Sequence, residues 1–284
     1  MGSGGFIGQA LSKSLSLKGL PATLIDSNTK LTNFLSDSKA IGEIDKIVWA
    51  ASKVNPVTAE LNSALCQEEV GTFAQFLLDM KLSGKPHVHV LFLSSAGCLY
   101  NSKQGIFTET SEATGTNAYG KLKRQMEVAL ENSGLNYSII RISNVYGPNQ
   151  PIGRGQGVIA EWVNAMVHSQ ELRVFGTLEA TRDYVYIEDV ADAILNLSEN
   201  SLSGIYNVGS GVSSSLGEVV KILKEFVGID MKIRYNPPRF TDRDFFTLDI
   251  AKILRESNWT PKYDLGRGIR LSLESNISRQ NERR

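Results

Sequence analysis

Apolar positions along this chain fall into two textures. In the first half, short unbroken apolar runs alternate with longer stretches in which apolar residues recur every three or four positions. The runs are PATLIDSN (21–28), IDKIVWAAS (44–52), HVHVLFLSS (87–95) and NYSIIRISNVYG (136–147). Continuous runs of this kind predict strands buried on both faces, and the periodic stretches Leu61–Met80 and Ala118–Leu130 predict the helices that cover them. Strands alternating with helices predict an α/β fold, a parallel sheet doubly wound by helices.

After Gly147-Pro148 the texture changes. GPNQPIGRGQG (147–157) reads as a loop. Beyond it come a helical VIAEWVNAMV, strand-like RVFG, YVYI and IYNVGS, a helix over Leu216–Val227 and a strand in MKIRYNPP. This predicts a first domain over 1–148 and a smaller α/β lobe over 149–284, with parts of 183–210 returning to the first domain. The polar end SNISRQNERR is expected to fray.

Composition narrows the field. The chain has 284 residues, with 30 basic and 30 acidic side chains that cancel. That balance argues against a nucleic-acid or membrane-surface partner. Cys66 and Cys98 are the only cysteines, so a disulfide framework is not expected. The scattered histidines His87, His89 and His168 form no metal-ligand spacing. With no signal-peptide pattern and no apolar run long enough to span a bilayer, the expected location is cytoplasmic.

The chemistry starts at MGSGGFIGQAL. Gly2, Gly5 and Gly8 recur every three residues at the mouth of a helix carrying Ala10, Leu11 and Leu15. Such a turn lets backbone amides approach a pyrophosphate at a helix N-terminus. Asp26 ends the next apolar run, near the spacing at which an acid meets the adenosine ribose diol; the alternative role is an ordinary turn or cap aspartate. Ser27 and Asn28 follow, with no arginine for a 2′-phosphate, which favours NAD over NADP. Only Met1 precedes the turn, so the strand that normally leads into it is missing. The expectation is that the natural chain starts earlier and that Met1 ends that strand; the alternative is a true start with a rearranged nucleotide site. Tyr119 and Lys123, four apart, share one face of a helix. A phenol with an ordinary pKa of about 10 needs roughly 4 kcal/mol of help to act as a base near neutrality. A nearby ammonium and a positive nicotinamide would both favour phenolate.

These residues, with VWAAS, SSAGCLY, RISNVYGPNQ, RDYVYIEDVADA, IYNVGSG and RFTDRDFFTLDIAKI, are similar to the extended short-chain dehydrogenase/reductases of the NAD-dependent epimerase/dehydratase family, most like its UDP-glucose 4-epimerase branch. The resemblance runs from Gly2 to about Leu271. It implies a Rossmann-type fold in which Gly2, Gly5, Phe6, Ile7, Gly8 and Asp26 bind NAD and Ala50, Ala51 and Ser52 line it. Tyr119 would be the base and acid and Lys123 would hold the nicotinamide ribose. Asn144 would touch the sugar or its phosphate, and Arg182 and Arg239 would clamp a diphosphate, as planar cations do well. Arg182 and Arg239 have alternative partners in Asp183 and Asp242.

Three departures from the family pattern matter. The first strand is missing. Ala96 stands where a catalytic Ser or Thr is usual, which leaves Ser95 or Ser94 to polarise the sugar, Ser95 being one position off and the residue assigned to catalysis and substrate. Glu68 stands where an Asn is usual, and 27–43 is short for a strand plus a helix. Gly97 and Cys98 occupy the places of a dehydratase's Asp-Glu pair, which argues against dehydration. The resulting reading is a nucleotide-sugar 4-epimerase, expected as a homodimer packed through helices near 61–80 and 118–130. Decarboxylation or reduction by the same fold, or an impaired NAD-binding protein, are the alternatives.

Overall fold

The structure is a computed structural model that describes residues 1–26, 44–83, 87–101, 104–153, 156–228, 231–238 and 244–282. Arg239, Asp242, Ser27 and Asn28 lie outside the described residues, as does the short segment 27–43. Gly5 turns the chain into helix α1 (Phe6–Leu17), whose Ile7, Leu11 and Leu15 recur on the face that meets the sheet. Strand β1 (Lys46–Trp49), helices α2 (Pro56–Leu61) and α3 (Ser63–Leu82), and strands β2 (His89–Ser95) and β3 (Gln104–Phe107) follow. Next come α4 (Ala118–Glu131), β4 (Asn136–Ile142), β5 (Asn144–Tyr146), α5 (Val158–Val167), β6 (Leu172–Phe175) and β7 (Thr181–Tyr186). Then α6 (Ile187–Glu199), β8 (Gly204–Val208), β9 (Ser213–Ser215), α7 (Leu216–Val227), β10 (Ile233–Asn236), β11 (Phe245–Leu248), α8 (Ala251–Glu256) and α9 (Leu265–Glu282).

The principal sheet is parallel, in the order β1-β2-β4-β8. Its register places Val48 beside Leu91, Leu93 beside Ile140 and Ile140 beside Tyr206. Strand alternation divides the apolar runs between two cores. Leu91, Leu93, Ile140 and Ile142 pack towards α1 and α6. Val90, Phe92 and Ile139 pack with Trp49, Phe73, Phe76 and Met126 beneath α3 and α4. This is the physical reason those runs contain so few polar positions. A third core, around Trp162, Val163, Leu172, Val219 and Ile269, joins α5, α7, α9 and β6.

The structure corrects several expectations. PATLIDSN forms no strand over its described residues, where only Ile25 is buried. A strand needs a ladder, and here the described residues of the run meet other backbone only at Ile25 O, which accepts from Gly2 N and Ser3 N. The Met1 amine donates to Val48 O at 2.8 Å, Ala50 N donates to Met1 O at 3.0 Å, and Gly2 N donates to Ile25 O at 2.7 Å. The stretch 61–80 is broken at Asn62, whose φ of −143° and ψ of 86° leave the helix while its side chain caps Leu65 N. NYSIIRISNVYG splits at Ser143, after which β5 pairs with β7 in another sheet. The polar end is helical to Glu282, because Gly268, Ile269, Ser272 and Leu273 bury one face of α9 and carry the rest with them.

Candidate functional site

The glycine turn is built by contact. A β-carbon on Gly8 would lie 2.0 Å from Gly2 O, and one on Gly2 would lie 2.6 Å from Ala51 N. No side chain but hydrogen fits at either place, and Gly2 also has φ +81°. The turn thus sits directly on the loop that follows β1. Helix α1 has no side-chain cap and no acidic residue in its first turn, so its positive end is open to an anion. The Asp26 β-carbon stands 3.7 Å from a β-carbon built on Gly4. Gly2, Gly5, Phe6, Ile7, Gly8, Asp26, Ala50 and Ala51 therefore converge, which suits an extended diphosphate-bearing ligand.

Ser52 is placed with them but its hydroxyl is engaged. Ser52 Oγ lies 2.6 Å from Glu69 Oε1, and the Lys53 and Val54 amides donate to Glu69 Oε2 at 2.8 and 3.2 Å. Sequence reasoning singled out Glu68 instead. Glu68 is exposed and pairs with Lys53 at 3.2 Å. Two consecutive glutamates look alike in a sequence; only the rotation of α3 tells them apart.

Three small side chains, Ser94, Ser95 and Ala96, stand at the end of β2. Ser94 Oγ donates to Glu127 Oε1 at 2.6 Å, beneath the helix. Ser95, on the opposite face of the strand, is half-buried, and its hydroxyl makes no hydrogen bond among the described residues. Ala96 is fully buried. Of the two serines left open by the sequence, Ser95 is thus the one with a hydroxyl to offer. The turn beyond is clamped: Thr116 N donates to Cys98 O at 2.9 Å, and a β-carbon on Gly120 would lie 1.9 Å from the same oxygen. Asn117 caps α4 by accepting from Gly120 N at 2.8 Å.

Tyr119 and Lys123 follow on one face of α4. The Lys123 ammonium lies 5.6 Å from the Tyr119 ring centroid, 5.1 Å from that of Phe92 and 3.5 Å from Leu93 O. Burial pushes the Tyr119 phenol above its ordinary range, and the neighbouring Cys98 and Glu69 add to the shift. Burial pushes Lys123 down, opposed by the charges of Glu69 and Glu127. Both groups therefore sit where burial disfavours their charged forms. The Cys98 side chain next to Tyr119 was not assigned any role from sequence.

Strand β5 supplies Asn144, which donates to Asp183 O at 3.2 Å, and β7 supplies Arg182, which donates to Thr181 O at 2.8 Å. The Asp183 carboxylate does not serve Arg182 as the sequence alternative had it: adjacent strand residues face opposite ways, and Asp183 accepts from Ser210, Gly211 and Leu248. Near Arg182, Thr181 Oγ1, Tyr184 Oη and Ser213 Oγ are buried with no hydrogen-bond partner among the described residues. Such atoms ask for a polar ligand.

A sequence model of the NAD dependent epimerase/dehydratase family matches residues 1–209. The chain is 27% identical over 298 residues to dTDP-4-dehydro-6-deoxyglucose reductase of Escherichia coli, covering 94% of this chain and 93% of that one. Among solved structures, the UDP-glucose 4-epimerase of Thermus thermophilus in complex with NAD superimposes with a TM-score of 0.82 at 25% identity, over 96% of each chain. The UDP-glucose 4-epimerase of Thermotoga maritima, solved with UDP-glucose, does so with a TM-score of 0.80 at 27% identity, over 97% of each.

Proposed function

Because this chain belongs to the NAD-dependent epimerase/dehydratase family, we propose that it is a nucleotide-sugar 4-epimerase acting on a UDP-sugar, with Tyr119 as its acid–base residue. The observation that carries this reading is the Tyr119–Lys123 face of α4, with Tyr119 half-buried and Lys123 buried against the end of β2. The glycine cradle, the open end of α1 and Asp26 fit a dinucleotide. Gly2, Gly5, Phe6, Ile7 and Gly8 would hold its diphosphate, Asp26 its adenosine ribose and Lys123 its nicotinamide ribose, with Ala50, Ala51 and the Ser52 backbone lining it. NAD, when bound, supplies reversible hydride acceptance at the sugar C4 and a positive ring. Tyr119 takes the proton of the C4 hydroxyl and later returns it, while Ser95 donates a hydrogen bond to the same oxygen. Arg182, Asn144 and Arg239 would receive the nucleotide diphosphate and sugar.

The test is turnover of UDP-glucose and UDP-N-acetylglucosamine by the purified chain, with its bound dinucleotide extracted and identified. Tyr119→Phe is expected to lose activity by at least about 10²-fold and to keep its dinucleotide. Normal turnover by that variant overturns the reading. The match along nearly the whole of the E. coli reductase favours a second reading, reduction of a 4-keto nucleotide sugar; NADH or NADPH oxidation with such a sugar and no UDP-glucose turnover would select it.

The homodimer belongs to the same reading. The outer surfaces of α3 and α4 expose Leu78, Leu82 and Val128, and Leu78→Asp is expected to give a monomer by light scattering. Among the described residues no helix is long and apolar enough to cross a membrane.

A further inference from the structure

Asp183 is fully buried on β7, between Arg182 and Tyr184. Both of its carboxyl oxygens are filled from outside its own strand. Oδ1 accepts from Ser210 N at 2.7 Å, Ser210 Oγ at 2.8 Å and Ser143 Oγ at 3.3 Å. Oδ2 accepts from Gly211 N and Leu248 N, each at 3.2 Å. The backbone oxygen of the same residue accepts from Asn144 Nδ2 at 3.2 Å. One side chain thus gathers three separate segments: the junction of β4 and β5 at Ser143, the turn between β8 and β9 at Ser210–Gly211, and the end of β11 at Leu248. Strands β4 and β8 belong to the principal sheet, whereas β5 and β7, which carry Asn144 and Arg182, pair in the sheet β5-β7-β9. Asp183 therefore stands on the seam between the two sheets. Space there is as tight as the bonding: a β-carbon on Gly209 would lie 2.5 Å from Asp183 Oδ2. Donors converging on both oxygens leave the carboxyl group one position.

We propose that Asp183 is a positioning residue for nucleotide-diphosphate binding: by tying β7 to the segments that follow β4 and β8 and to the end of β11, it sets where Arg182 and Asn144 stand. Arg182 is joined to it by one peptide bond. Asn144 is held twice, through its own bond to Asp183 O and through Ser143 before it. A displaced Asp183 carries both with it, and a small misplacement of a binding group is costly. The inference rests on the function proposed above, in which Arg182 and Asn144 receive the substrate.

Asp183→Asn keeps the shape and breaks the bonding. Backbone N–H groups meet both oxygens, so whichever oxygen becomes an NH2 faces an N–H that cannot accept. Asp189 supplies the control. It is 1% exposed, on α6, and accepts from Lys262 N at 2.9 Å and Tyr263 N at 3.1 Å. Asp189→Asn therefore makes the same kind of fault in a group that bonds neither Asn144 nor Ser143. UDP binding to the full-length protein is measured by calorimetry, beside steady-state kinetics, retained dinucleotide and urea unfolding. In Asp183→Asn the UDP dissociation constant and KM are expected to rise about tenfold or more, while kcat at saturation and retained dinucleotide hold. Asp189→Asn is expected to lower the urea midpoint and leave UDP affinity as it was. Folded Asp183→Asn with wild-type affinity overturns the inference, and so does an equal loss of affinity in Asp189→Asn, which would mark general loosening. Should Asp183→Asn not fold, Gly209→Ala presses on the carboxyl group without removing it. It is expected to weaken UDP binding by about three- to tenfold, and unchanged affinity overturns the inference. Wild-type protein that binds no UDP sinks the UDP-sugar reading and this inference with it. If Arg182→Met keeps wild-type affinity, the role proposed above for Arg182 fails; if it loses affinity and Asp183→Asn does not, only this inference fails.

Discussion

Ser94 Oγ donates to Glu127 Oε1 at 2.6 Å, and this bond commits one of two adjacent serines to the interior. Because side chains alternate along a strand, Ser95 is turned the other way, to the face of the strand opposite the one that meets α4.

The two serines should therefore fail differently. Ser95→Ala is expected to lower kcat by about 10²- to 10⁴-fold with an unchanged melting temperature. Ser94→Ala is expected to cost about 1–3 kcal/mol of stability by leaving a buried carboxylate short of a donor, with far less effect on kcat. Steady-state kinetics beside urea unfolding checks both.

Glu127 and Arg141 form a buried pair, at 0% and 3% exposure, joined at 2.8 Å. Removing one partner leaves a charge stranded, so Arg141→Met is expected to destabilise by about 3 kcal/mol, the low end of such losses because Arg124 remains. The double change Arg141→Met with Glu127→Leu should cost less than the sum of the singles. Additive losses in a double-mutant cycle would show that the pair is not coupled.

Gly8→Ala drives a β-carbon to 2.0 Å from Gly2 O, a backbone atom that cannot step aside without opening the turn. The expected outcome is protein that retains little dinucleotide, read from the absorbance of the supernatant after acid precipitation. Gly71→Ala, whose β-carbon meets nothing within 4 Å, serves as the control and keeps its dinucleotide.

His89 links stability to pH. Its Nε2 lies 2.7 Å from Ser138 Oγ, and burial with the nearby Lys46 pushes its pKa down. Its folded pKa is below the unfolded value of about 6.5, so the unfolded chain binds the extra proton. The stability it contributes is full above pH 6.5 and is lost as pH falls through the folded pKa. Urea midpoints measured from pH 7.5 down to 5 should decline, and His89→Gln should flatten part of that decline. A histidine contribution of opposite slope would show that the ring is charged in the folded state.

Much of the fold is written in local pattern. Val158–Val167 and Leu216–Val227 form the helices that their spacing predicts, to the residue. The strands β2 and β4 are legible because both their faces are buried, which forces unbroken apolar runs. Strands β3, β9 and β11 were not read from sequence. They are short, and β9 is Ser213–Ser215 with no apolar signal at all; it exists because Thr181, Arg182 and Asp183 offer it a ladder.

By itself, then, the sequence determined which segments bury apolar surface, that glycines crowd a helix start, and that a tyrosine and a lysine share one helical face. These are properties of neighbours within a few residues, and spacing encodes them. Tertiary structure alone decided that Ser95 rather than Ser94 keeps a hydroxyl to offer, that Glu69 rather than Glu68 turns inward, that residues 21–26 form no strand, and that Asp183 serves Ser210 and Leu248 instead of Arg182. Each of those outcomes depends on which distant backbone or side chain arrives as a partner. Burial and hydrogen bonding reward that meeting, and a one-dimensional pattern does not record it.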